Sequence, residues 1–92
     1  MKAEKILLWA QMQSTGVDFS VNGITFQISY LGKGFWKRYF HKGSHPTRGN
    51  VSQTEMQDAL DKATTFTLYE GQKPHEVSRQ EFEQMVASVF NF

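Results

Sequence analysis

Apolar residues near the start of the chain recur with a helical period. Ala3, Ile6, Leu7 and Ala10 fall at the i, i+3, i+4, i+7 spacing of one helix face, and Ser14-Thr15-Gly16 supplies a stop. Leu8, Trp9 and Met12 lie off that stripe, which predicts a helix apolar around much of its circumference and deeply buried. The period then changes to two. VDFSV and ITFQISYL alternate apolar with polar positions and are joined by Asn22-Gly23, the dipeptide best suited to a type I′ hairpin turn. A two-residue loop sets Val21 opposite Ile24, Phe19 opposite Phe26 and Val17 opposite Ile28 on a core face. Asp18, Ser20, Thr25, Gln27 and Ser29 then share a polar face.

After Gly32-Lys33-Gly34, the segment FWKRYFH has the rings and β propensity of a third strand, returning antiparallel beside the second. The register of this strand is left open by the sequence: one choice, a three-residue loop with Gly34 in the left-handed region, pairs Leu31 with Phe35 and sends Trp36 and Phe40 inward, leaving Phe35, Lys37, Tyr39 and His41 facing out. Arg38 then sits on the inner face of an edge strand, its stem on apolar surface and its guanidinium at the rim. KGSHPTRGN carries turn formers without periodicity and reads as an exposed loop.

One helix-start device then occurs twice, as VSQTEM at 51–56 and VSRQEF at 77–82. In each, Ser can cap, Glu three residues later completes a capping box, and Val51/Met56 or Val77/Phe82 stand at hydrophobic-staple positions. The first of these helices carries Met56, Ala59, Leu60 and Ala63 on one face, and the second carries Phe82, Met85, Val86, Val89 and Phe90. FTLYE, residues 66–70, is a further strand candidate before a turn at Gly71-Gln72-Lys73-Pro74. The expectation is an α+β fold, α-β-β-β-α-(β)-α: a small antiparallel sheet of three to four strands with helices on one face.

Composition narrows the class. At 92 residues, 39% hydrophobic and 14% aromatic, residues 1–92 fit a single compact domain, one that buries about 60–65% of its unfolded surface. The longest apolar run, Ile6 to Ala10, is far short of a membrane span. The N-terminus has no signal-peptide pattern, so a soluble, unexported chain is expected. With no cysteine there is no disulfide, thiol nucleophile or thiolate metal site. His41 and His45 are four apart, but Gly43 and Pro46 argue against a helix presenting both to a metal. His75 follows Pro74 with no nucleophile and orienting acid beside it, and all three histidines read as surface or loop residues. No catalytic residue, metal or cofactor is expected, and no small-molecule substrate.

The net charge of +1 conceals a segregation. From Phe19 to Thr54 there is no acidic residue, while Lys33, Lys37, Arg38, Lys42 and Arg48 give that segment a charge of +5; from Glu55 onward the balance is −4. The stretch KGFWKRYFHK concentrates the feature, interleaving aromatic rings with cations. Rings that stack and cations that meet phosphates are how single-stranded nucleic acid is held, and the same mixture dominates protein interfaces. If Trp36 and Phe40 are simply core and Lys37 and Arg38 simply solvated, the rings are explained but the missing acids are not. The candidate binding residues are therefore Lys33, Phe35, Lys37, Arg38, Tyr39, His41, Lys42 and Arg48, with Glu55, Asp58 and Asp61 as an acidic contact face.

The α-β-β-β-α order resembles that of double-stranded RNA-binding domains. Where that family places a cluster of lysines at the start of its second helix, this chain has Ser52, Glu55 and Asp58, which repel phosphate, so the resemblance is one of topology. Taken whole, the short cysteine-free chain with its opening MKAEKILLWAQMQ and its basic FWKRYFHK segment resembles the phage-encoded type I-F anti-CRISPR proteins. That resemblance implies stoichiometric inhibition. Such a protein acts in the cytoplasm of the bacterial host cell, with no membrane partner. It binds protein subunits and guide RNA of the type I-F CRISPR surveillance complex and keeps target DNA from hybridising. Near-neutral charge with a basic segment argues against wholesale DNA mimicry and for a dipolar wedge. The alternative is a free single-stranded nucleic-acid-binding module using the basic-aromatic hairpin.

Overall fold

The computed structural model describes residues 1–29, 40–43, 49–70 and 73–90. Its sheet grows from the Asn22-Gly23 turn, where both residues take positive φ, 53° and 80°, as a type I′ turn requires. Strand β1 (Val17–Val21) and strand β2 (Ile24–Ile28) pair in the expected register, Val17 with Ile28, Phe19 with Phe26 and Val21 with Ile24. The hairpin tip overhangs the core, however, and Ile24 is exposed.

Helix α1 (Ala3–Gln13) precedes the hairpin. Strands β3 (Phe40–Lys42) and β4 (Gly49–Asn50), helix α2 (Gln53–Lys62), strands β5 (Thr65–Glu70) and β6 (Lys73–Ser78) and helix α3 (Arg79–Phe90) follow it. The fold is α+β, with the strands in the order β4-β3-β2-β1-β5-β6 and every described pairing antiparallel. Because β4 and β5 run in the same direction, the chain must return along the sheet between them, and α2 makes that return on the apolar face.

The inner sheet face and all three helices share one core. Its spine is aromatic: Phe26 stacks on Phe19 at 5.7 Å, Phe19 meets Phe66 edge-on at 5.4 Å, Phe66 stacks on Phe82 at 4.6 Å, and Phe82 meets Trp9 edge-on at 5.4 Å. Each such pair adds about 0.5–1.5 kcal/mol beyond the area it buries. Trp9, which the apolar stripe left out, is thus a central core residue.

Both expected Ser caps are present. Ser78 Oγ accepts from Glu81 N–H at 3.2 Å while Ser78 N–H donates to Glu81 Oε1 at 3.3 Å, a complete capping box. Ser52 Oγ accepts from Glu55 N–H at 3.1 Å, but the Glu55 carboxylate turns instead to Lys42, so that box is half closed. Helix α1 starts without a side-chain cap of its own. Gln57 of α2 replaces it, accepting from Ala3 N–H at 2.8 Å and donating to Met1 C=O at 2.7 Å. The helix ends where expected, at Ser14 in the left-handed region.

Several expectations need correction. The sheet has six strands among the described residues, more than the three to four expected. Strand β6 occupies what reads as a turn and a helix approach, and it places Pro74 and His75 in a strand. It lacks alternation because only Val77 is buried on this edge strand. Strand β4 closes part of the expected loop with just two residues. The third strand pairs Phe40 with Ile28, whereas the three-residue loop would have paired Phe40 with Phe26. A slip of two keeps Phe40 on the inner face, so the facing given by that loop is observed while its register is replaced. The expected pairing of Leu31 with Phe35 and the placements of Trp36 and Arg38 lie outside the described residues.

Edge strand β6 is guarded by its own chemistry. Arg79 N–H donates to Thr64 C=O at 2.9 Å, which points the backbone groups of odd-numbered β6 residues at β5 and those of even-numbered ones outward. Of the outward residues, Pro74 has no donor and the Ser78 N–H is held by Glu81.

Candidate binding surface

The helices cover one face of the sheet and leave the other to polar side chains. Across four strands these side chains form one row. His41 Nδ1 on β3 lies 3.4 Å from Gln27 Oε1 on β2, Gln27 Nε2 donates to Asp18 Oδ1 on β1 at 2.8 Å, and Tyr69 Oη on β5 donates to Asp18 Oδ2 at 3.0 Å. The row follows from strand register. His41 is paired with Gln27 and Gln27 with Asp18, while Tyr69 stands diagonal to Asp18. With both carboxylate oxygens of Asp18 engaged, the Gln27 amide has one preferred orientation, oxygen toward His41. Alternation placed Asp18 and Gln27 on this face in advance. Tyr69 was missed, although the alternation of FTLYE contains the signal for it.

A second device binds the neighbouring strand. The Thr15 hydroxyl is buried, donates to Tyr69 C=O at 2.8 Å and accepts from Tyr69 N–H at 3.1 Å. The side chain stands in for a strand partner and extends the short β1–β5 pairing by one rung.

Of the basic-aromatic candidates, Lys33, Phe35, Lys37, Arg38, Tyr39 and Arg48 lie outside the described residues. His41 has the expected outward facing but is buried, 4% exposed, which corrects its reading as a surface histidine. Lys42 shares the inner face with its cross-strand partner Phe26 and reaches out to Glu55 Oε2 on α2 at 2.7 Å. Lys42 is half-buried there. The stem lies over the sheet while the ammonium meets a carboxylate at the rim.

Glu55, Asp58 and Asp61 all project from α2 into solvent, but none stands alone. Glu55 holds Lys42, Asp58 pairs with Lys62 at 3.0 Å one turn away, and Asp61 accepts from Gln57 Nε2 at 3.0 Å. The expected dipolar separation is therefore bridged at one point, where a cation of the basic segment and an acid of the C-terminal half neutralise each other. The pair is open to water on both sides, and such pairs contribute at most about 1 kcal/mol.

No group of His, Asp or Glu among the described residues is arranged to hold a metal. No helix among them is long and apolar enough to cross a membrane. Comparison with protein-family models, with curated proteins and with solved structures found no match in any of the three.

Proposed function

We propose that this chain is a stoichiometric inhibitor of a type I-F CRISPR guide-RNA surveillance complex, binding its protein subunits and guide RNA so that target DNA cannot hybridise. The reading begins from the resemblance to phage-encoded type I-F anti-CRISPR proteins. The observation that carries it furthest is the polar sheet face, taken with the basic-aromatic stretch whose last residues form β3. Four cations, Lys33, Lys37, Arg38 and Lys42, fall within that stretch without one carboxylate. Such a composition, with a polar sheet face on the same chain, suits an anionic, ring-bearing partner.

The Lys42–Glu55 pair changes how the charges are shared. Lys42 already has its counter-ion, so the phosphate-facing role falls to Lys33, Lys37, Arg38 and Arg48. Glu55 is likewise a weaker candidate than Asp58 or Asp61 for meeting cations of a protein channel.

The test is reconstitution with a purified, guide-loaded type I-F complex and labelled target DNA. Saturating loss of DNA binding at a fixed molar ratio of inhibitor to complex is expected. Lys37→Glu with Arg38→Glu should abolish it, and Lys42→Ala should leave it within about threefold, as for a rim charge already screened. Failure to co-elute with the complex overturns the proposal. So does tight, steeply salt-dependent binding to naked single-stranded RNA or DNA, the signature of a free nucleic-acid-binding module.

A further inference from the structure

Where the end of α1 meets strand β5 and helix α3, the packing leaves a cavity of about 340 Å³, at the small end of the range for small-molecule sites. Trp9, Leu68 and Met85 supply its apolar wall, and Gln13, Ser14 and Thr15 its polar one. No charged side chain lines it. The next face of α1 differs: Leu8 and Met12 are exposed there, and the groove beside Leu8 is lined by Lys2, Glu4 and Lys5.

One buried donor at this cavity has no acceptor. The Thr15 hydroxyl and the Tyr69 main chain satisfy each other, but Trp9, 3% exposed, makes no hydrogen bond through Nε1. Native proteins leave few buried donors unpaired, and an indole nitrogen can only donate. Nε1 is closed to solvent, so bulk water does not supply the acceptor. An occupant reaches it by moving the wall, and Met85, half-buried and unbranched, is the wall residue that can yield.

The lining selects the class of occupant. A neutral wall has nothing to compensate a buried ion. A wholly apolar molecule would leave the indole donor unmet. An uncharged molecule with an apolar body and a carbonyl oxygen meets both conditions, and its remaining polar atoms can face the exposed Gln13 and Ser14. We infer that the cavity binds a small uncharged carbonyl compound, its oxygen accepting from Trp9 Nε1 and its apolar body lying against Leu68 and Met85. The site is on the helix side of the sheet, away from the polar row, and does not rest on the inhibitor proposal.

The test uses the full chain with isotope-labelled indoles, the Trp9 signal being assigned with Trp36→Phe. Benzamide is the probe. Benzoate and benzamidine share its ring but carry a negative and a positive charge, and toluene has no acceptor. Saturable downfield movement of the Trp9 indole proton is expected with benzamide and not with toluene. Benzamide should bind at least about fivefold more tightly than either ion. Trp9→Phe should lower the affinity for benzamide relative to toluene by about three- to tenfold. Gln13→Lys, at an exposed position clear of the core, should shift the preference several-fold toward benzoate, so a folding defect in the Trp9 variant leaves the inference open to refutation. It is overturned if benzamide moves the indole proton no more than toluene does, if benzoate binds the unmodified chain as tightly as benzamide, or if Gln13→Lys leaves the preference unchanged. It is equally overturned by an indole proton shifted upfield and unmoved by every probe, which would give the N–H to the Phe82 ring that Trp9 meets edge-on.

Discussion

Removing the Arg79 side chain should destabilise the domain far more than its surface position suggests. Arg79 is the first residue of α3, where a positive charge opposes the helix dipole. Its guanidinium is directed elsewhere. It donates to Leu60 C=O and to Ala63 C=O, each at 2.8 Å, at the C-terminal end of α2, where helix carbonyls lack intrahelical partners. Charge-assisted bonds of this kind contribute about 1.5–3 kcal/mol each when buried. The side chain is 28% exposed and water replaces part of the loss, so Arg79→Ala should cost about 2–3 kcal/mol in all. A domain of this size has about 5–14 kcal/mol in total, and the melting temperature should fall by about 8–20 °C. Urea denaturation followed by Trp fluorescence measures the change, with the slope against urea unaltered. The control is Glu83→Ala, which removes only the exposed ion pair of 3.5 Å and should cost less than about 0.5 kcal/mol. Equal losses in the two variants, or a loss below about 0.5 kcal/mol for Arg79→Ala, would refute the assignment of this arginine to the α2 carbonyls.

Thr15→Val keeps the shape of the side chain but removes both hydroxyl bonds to the Tyr69 backbone, for a loss of about 2 kcal/mol; Thr15→Ser should recover most of it. Amide exchange at Tyr69 should quicken in the Val variant alone. Gly23→Ala should cost about 1–2 kcal/mol purely through backbone strain at positive φ. An added Cβ there meets nothing within 4 Å, so D-Ala in a synthetic chain should restore stability. A double-mutant cycle on Lys42 and Glu55 should give a coupling of about 1 kcal/mol or less that fades as salt is raised. A larger, salt-insensitive value would mean the pair is more buried than its geometry implies.

Strong local codes were legible in advance. Asn22-Gly23 with alternation on both sides specified the β1–β2 register residue by residue, because a two-residue turn permits one pairing and a slip of one would put Phe19 and Phe26 into water. Ser52 and Ser78 announced two helix starts, since a cap acts through atoms three residues away. The α2 face of Met56, Ala59, Leu60 and Ala63 is buried as its period implied. The candidate site was legible only in outline. Its polar face followed from alternation, but the engagement of His41, Lys42 and Glu55 depended on partners far away in sequence.

By itself, then, the order of residues determined the hairpin, the capped helix starts and the apolar stripes, all set by interactions spanning a few positions. Tertiary structure decided the rest. It made an edge strand of the unpatterned KPHEVS, turned Arg79 away from its own helix to close another, and buried Trp9 while leaving Leu8 and Met12 bare. The reason is the same in each case. A side chain's own period states which faces are apolar, but only the packing of distant elements determines which of those faces is covered and which charge finds a partner.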